Sequence, residues 1–390
     1  MRLAVIALML VLAPAVNSAQ DPGTAAKDVT AEQVRASIDK LATLEFPVRM
    51  EAARTIRRAA QATAVPALTA AVAKHQDGYV RFRALVLLSG FNDPRTRDVM
   101  VRALGEKNDR LRAVAYAFFE HHPDPAALPR LIEALATEES EFVRPALTRA
   151  IAAHGKEQAA QDTMTRLVTR GQDFFRSVVI EAIGDYKGAY AFAALTGVAK
   201  LDGPLQDDAV LALGKIGDTR AVATFAELQR SAPKGTQPAI AAAICLVGVN
   251  CGSHVGYLTE SLDFSVSQIG YQELLRGSAT GLAALAIAGN EEALRTLIDR
   301  GAPSRDPARA AIALAIGSVA LRNTALTMKV LEQQAKPEEG LELLREAFDM
   351  LEEDFIEERF FVTVRRSYWQ AKPGTAARRT AEALIRKLEF

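Results

Sequence analysis

The sequence predicts an all-α fold: an α-α superhelix of about nine stacked helix pairs, finished by a longer C-terminal capping helix. Three observations predict it. An acidic residue recurs every 32 residues, each time followed within four positions by an apolar residue and an arginine. Between these marks apolar residues recur at helical spacing, separated by turns rich in Gly, Pro and Asp. Alanine is abundant in a chain that is 49% hydrophobic and only 6% aromatic, and alanine is the best helix former and lets helices approach closely. A stack grows by adding units, so 390 residues need not divide into several compact domains.

The N-terminus reads as a leader. Met1 and Arg2 precede an apolar run over residues 3–13, then Pro14 and the small-residue stretch Asn17-Ser18-Ala19. That is a basic region, an apolar region and a cleavage site before Gln20. Export to the periplasm or the cell exterior is the expectation. The apolar run is too short for an ordinary membrane span, and no span is expected once the leader is removed. The organisation expected is a signal peptide over 1–19, a linker over 20–29, a repeat solenoid over 30–335 and a C-terminal helical cap over 336–390.

The repeat carries the acids Glu45, Asp77, Asp109, Glu141 and Asp173, each 32 residues from the last. Arg49, Arg81, Arg112, Arg144 and Arg176 follow them, preceded by Val48, Val80, Leu111, Val143 and Phe175. An acid at a helix start accepts backbone N–H bonds and favours the positive end of the helix dipole. The arginine just inside can reach that carboxylate or the neighbouring repeat's. The ladder is therefore read as structural, its charges largely cancelling. It lapses at Leu205 and Gln206, where the sixth acid and arginine would stand.

Asp77-Gly78-Tyr79-Val80-Arg81-Phe82-Arg83-Ala84 and the segment from Asp208 through Gly214-Lys215-Ile216-Gly217-Asp218 resemble the HEAT-like repeat family, including the subclass named after phycobilin lyases. The resemblance covers roughly residues 30–335. It implies a concave face lined by the helices after each arginine, with Phe82, Arg83, Val86, Arg149, Ile180 and Glu181 as contact positions. It also implies an alternative, a bilin lyase or isomerase. The His-Glu dipeptide of the hydroxylase branch does not occur.

Irregular places mark other surfaces. Residues 251–276 lengthen one repeat and carry Gly, Ser, Tyr257 and Tyr271, which reads as an inserted loop. Residues 341–370 read as one long amphipathic helix, whole or broken, with Trp369 near its end, followed by a last helix over 375–388. This segment is a cap or a docking element for an envelope complex. Cys245 and Cys251 are six apart with Gly248 and Asn250 between them. In an unbroken helix the sulfurs are too distant to bond. A break there allows a local disulfide, with two free thiols as the alternative.

Chemistry is sparse. His121-His122 with Glu120 and Asp124 is the nearest approach to a metal cluster, but adjacent histidines on a helix point apart. No nucleophile, base and orienter converge. No catalytic residue, cofactor or metal is expected. A formal net charge of zero argues against nucleic acid as a partner. The reading is a non-catalytic, protein-binding scaffold outside the cytoplasm.

Overall fold

The computed structural model describes residues 29–268, 270–351 and 354–390. The leader at 1–19 and residues 20–28 of the linker lie outside the described residues. Among the described residues the chain forms twenty-two α-helices and no strand. They begin with α1 (Ala31–Lys40), α2 (Phe46–Arg58), α3 (Gln61–Lys74), α4 (Gly78–Ser89), α5 (Arg95–Ala103) and α6 (Asp109–His121). Next come α7 (Leu128–Thr137), α8 (Arg144–Ala153), α9 (Gln158–Val168), α10 (Asp173–Asp185), α11 (Phe192–Ala199) and α12 (Gln206–Ile216). The series continues with α13 (Ala221–Ser231), α14 (Gln237–Leu246), α15 (Cys251–Ser267), α16 (Gln272–Ile287), α17 (Glu291–Gly301) and α18 (Ala308–Arg322). It ends with α19 (Thr324–Gln333), α20 (Pro337–Leu351), α21 (Asp354–Gln370) and α22 (Ala376–Leu388).

Local chemistry starts these helices. Prolines occupy the first turn of α2, α7, α8 and α14, where the missing N–H costs nothing. Asp77 caps α4 by accepting from the backbone N–H of Tyr79 at 2.7 Å. The even-numbered helices through α20 pack each on the next and form the inner layer; the odd-numbered ones through α19 cover them outside. Small residues set the inner spacing. A Cβ on Gly214 would lie 2.5 Å from the Ala243 Cα, so α12 and α14 touch almost backbone to backbone.

Of the ladder arginines, Arg176 takes its own register acid and Arg81 and Arg112 reach a carboxylate of the neighbouring repeat, though not the ladder's. A helical side chain leans toward the N-terminus of its helix. It therefore meets the loop just before it, where the preceding outer helix leaves carbonyls unbonded. Arg81 donates to Val72 O at 2.7 Å and pairs with Glu106 at 2.6 Å, not with Asp77. Arg112 grips Glu138 with two bonds of 2.7 Å and donates to Glu106 O and Lys107 O. Arg49 donates to Thr43 O and Leu44 O. Arg176 alone bonds its register acid, Asp173, at 2.9 Å, and also reaches Val168 O. Arg144 lies 4.5 Å over the Phe175 ring. Glu45 makes no capping bond, Asn108 takes the cap expected of Asp109, and Glu141 is exposed in the turn before α8. The acids that do the pairing, Glu106 and Glu138, are themselves 32 residues apart.

One irregular segment is corrected and a second is settled. The expected loop at 251–276 is mostly α15, a 17-residue helix packed on α14 and α16. Val255, Leu258 and Leu262 are buried at helical spacing and outweigh the Gly and Ser content. Gly248 and Asn250 take left-handed backbone conformations at the turn before α15, and Cys245 and Cys251 are disulfide-bonded across it with Cα atoms 4.2 Å apart. Of the two readings of 341–370, the broken one holds: the segment is two helices, α20 and α21.

Those last helices do more than cover one end. α21 crosses back and packs on α4 and α6 as well as on α18 and α19. Arg57 of α2 binds Glu358 of α21 through three contacts of 2.7–3.1 Å, with both residues buried. Arg365 donates to the Arg57 carbonyl at 2.8 Å, and Arg54 donates to Glu389 O at 2.9 Å. A Cβ on Gly90, at the end of α4, would come within 2.9 Å of Glu358, so only glycine admits α21 this closely. The stack is a closed arc whose two ends meet.

Leucine at Arg57 leaves Glu358 buried and unpaired. Arg57→Leu is expected to lower stability by about 3–5 kcal/mol, and Arg57→Leu with Glu358→Leu by much less. Denaturant unfolding of the full chain measures both.

Candidate functional site

The arc surrounds a half-open cavity of about 1300 Å³. One wall is the inner layer from α2 to α10. The other is formed by the ends of α16 and α18 with α20, and α21 spans the gap between them. Apolar residues alternate with arginines around the wall.

A charge network crosses the cavity's inner part. Arg149 of α8 donates to Glu120 of α6 at 2.8 Å and to Asp185 of α10 at 2.9 Å. Tyr186 OH donates to Glu120 at 2.7 Å, and Lys215 of α12 donates to Asp185 at 2.6 Å. Arg322, from the opposite wall, stands 3.7 Å from Glu181 and 3.9 Å from Asp185. Burial disfavours charge on both Arg149 and Asp185. The Glu120 and Asp185 carboxylates outweigh it and raise Arg149; Lys215 and Arg149 outweigh it and hold Asp185 low. Burial, reinforced by Glu120, pushes the Tyr186 hydroxyl up. It stays a neutral donor.

His121 closes α6 beside this network. Its ring stacks on Phe355 of α21, centroids 6.0 Å apart. Burial, with the charges of Arg359 and Arg149, lowers its pKa from 6.5 to about 3. His121 is therefore a neutral packing group at neutral pH. The imagined metal cluster does not form: Glu120 is committed to Arg149, His122 stacks on Phe118, and Asp124 pairs with Arg97. Among the described residues no group of His, Cys, Asp and Glu is placed to hold a metal ion.

The expected contact positions scatter. Val86 and Ile180 are 1% and 0% exposed and belong to the core, so they are not a partner surface as expected, whereas Phe82, 6% exposed, lines the cavity. The reason is that an inner helix buries its flanks against the helices before and after it, leaving only a narrow inward stripe. Arg83 and Arg149 do line the cavity, and Glu181 faces Arg322. Tyr257, Tyr271 and Trp369 are exposed but lie on separate helices; Tyr271 packs on Phe264, and Arg378 covers Trp369.

An exposed aromatic row went unread in the sequence. Phe46 is 56% exposed, Tyr79 36%, Phe142 96% and Phe174 67%. Each sits within two residues of the start of α2, α4, α8 or α10. All therefore lie on one edge of the inner layer. The signal was present: Phe142 and Phe174 are 32 residues apart and Phe46 lies three such steps earlier. The arginine of each repeat drew attention from it. Arg110 continues the row, its guanidinium 5.7 Å over the Tyr79 ring.

The buried imidazole has a consequence for pH. The folded pKa of His121 lies below the unfolded value, so its contribution to stability is complete above pH 6.5 and is lost as pH falls toward about 3. Melting temperature should therefore fall between neutral and mildly acid pH, above the carboxylate range. His121→Gln should flatten that fall, which thermal melting of both proteins at each pH measures.

The family model for HEAT repeats matches residues 36–118. No curated protein matches the chain. Two solved structures resemble it. The YibA protein of Escherichia coli is 17% identical, covers 55% of this chain and 81% of its own, and has a TM-score of 0.40. The CpcE–CpcF complex of phycocyanin lyase from Nostoc sp. PCC7120 is 16% identical, covers 67% of this chain and 97% of its own, also with a TM-score of 0.40. Residues 36–118 match as HEAT repeats, and the described chain as a whole is an all-α, HEAT-like solenoid.

Proposed function

We propose that the protein is a non-catalytic scaffold that binds a protein partner along the aromatic edge of its inner layer, after export to the periplasm or the cell exterior. The observation that carries this reading is the row Phe46, Tyr79, Phe142 and Phe174. A single exposed ring is ordinary, but exposed apolar groups gathered on one edge mark an interaction surface. Tyr and Phe are also among the types that concentrate at protein interfaces. The row runs along a rigid, repeated frame, so the rings stand at fixed spacing. A partner lying along the edge meets them in turn.

α21 occupies much of the concave face, which turns the available surface toward the edge. Export is supported by the leader-like N-terminus and by the Cys245–Cys251 bond, a type of linkage that persists in oxidising compartments. Among the described residues no single helix is long and apolar enough to cross a membrane.

The test is a photocrosslinking residue placed at 142 in the cell, with one at 74 on the outer layer as control. A partner should appear from 142 and not from 74. Phe142→Ser with Phe174→Ser should remove it while stability changes by less than about 1 kcal/mol. The same partner recovered from the double variant would contradict the proposal.

A further inference from the structure

The cavity inside the arc holds a partly solvated arginine that has no direct ion pair among the described residues, only the Glu120 charge acting on it at a distance. Arg359 projects from α21 into it. Solvent reaches this side chain, yet protein surrounds it closely enough that burial pulls its pKa below the usual guanidinium value. Among the described residues it makes no ion pair. Its cationic neighbours in the network are all matched: Arg149 by Glu120 and Asp185, Lys215 by Asp185, Arg322 by Glu181 and Asp185.

A second polar atom beside it is also unsatisfied. His121 Nε2 is buried and has no hydrogen-bond partner. The His121 ring lies on Phe355, and Phe355 and Arg359 are one turn apart on the same face of α21. The Arg359 charge is also felt at His121, where it disfavours the imidazolium. The guanidinium and the imidazole therefore border one place in the cavity. The walls around it are apolar, from Val114, Ala117, Phe348, Phe355 and Ile356.

We propose that this cavity binds a monocarboxylate with an apolar body, its carboxylate held by Arg359 and His121 Nε2. A guanidinium offers a planar pair of donors that fits a carboxylate. The Glu120 charge, which also reaches Arg359, disfavours a second negative charge on the ligand. The apolar body takes the place of water against the phenylalanines. Phe46, Tyr79 and Phe142 of the aromatic edge also line this cavity, but the carboxylate site at Arg359 and His121 does not rest on the edge's binding a partner.

The probe is phenylacetate, compared with the neutral isostere phenylacetamide and the dianion phenyl phosphate, titrated into the full chain by calorimetry. Phenylacetate should bind and phenylacetamide should not. Arg359→Gln should weaken binding by about tenfold or more, while the ligand-free variant melts no lower than wild type because a cation without a direct ion pair has been removed. Bound phenylacetate should move the His121 titration upward in an NMR pH series, because an adjacent anion favours the imidazolium. Absence of phenylacetate binding at millimolar concentration would overturn the proposal. So would equal binding by Arg359→Gln, or tighter binding of phenyl phosphate. A free acid and an acidic side chain of a partner present the same group. If Arg359→Gln loses phenylacetate but keeps the partner crosslinked from position 142, the natural ligand is a free acid. If it loses both, the ligand is a partner's side chain.

Discussion

The fold depends on α21 lying across the stack and on the buried Arg57–Glu358 pair that fixes it there. A repeat array ordinarily makes contacts only between neighbours. Here a contact joins residues 301 apart in sequence. Burying two charges gives little net stability, but breaking the pair is expensive, so such a pair acts as a register device. α21 offers greasy surface to both arms of the arc through Phe355, Phe360 and Phe361. The ion pair makes one seating of that surface much better than its neighbours. Closure converts a row of independent units into a single body with an interior.

That interior explains the second set of buried charges. In an open stack Glu120, Arg149 and Asp185 would sit on a wet concave face and be worth little. Inside the arc they are shielded and linked across repeats, so α6, α8, α10 and α12 are tied by side chains as well as by apolar packing. Arg322 extends the tie to the far wall. The ladder arginines work on the opposite scale. Arg49, Arg81, Arg112 and Arg176 each hold the loop before their own helix through carbonyls that the preceding helix cannot satisfy, and Arg81 and Arg112 also reach the next repeat. Local stitching sets the curvature, and the central network with α21 holds the arc shut.

The helical class and the repeat length were legible because they are local. They follow from apolar spacing, turn residues and a period of 32 that any window of the chain reveals. The ladder's positions were legible too, but its partners were not. Arg81 and Arg112 reach forward to Glu106 and Glu138, and only the lean of helical side chains and the course of the loop decide that. α15 was misread because Gly and Ser mark loops on average, whereas Val255, Leu258 and Leu262 are what bury it. Val86 and Ile180 were misplaced for a similar reason: periodicity says that a face is apolar, not which neighbour covers it. The closure was illegible altogether. No pattern in the sequence links Arg57 to Glu358, because nothing repeats there.

The most direct measurement of the closed arc is a pulsed dipolar distance between spin labels at positions 51 and 386, both solvent-accessible, in the full chain. In the closed arc α2 and the chain end touch through Arg54 and Glu389, so the labels should lie on the order of 20 Å apart, a helix diameter or two. An open stack of this many helix layers would hold them on the order of 80 Å apart, given layer spacings near one interhelical distance. A single short distance is the result the closed arc requires. A long or broad distribution would contradict it.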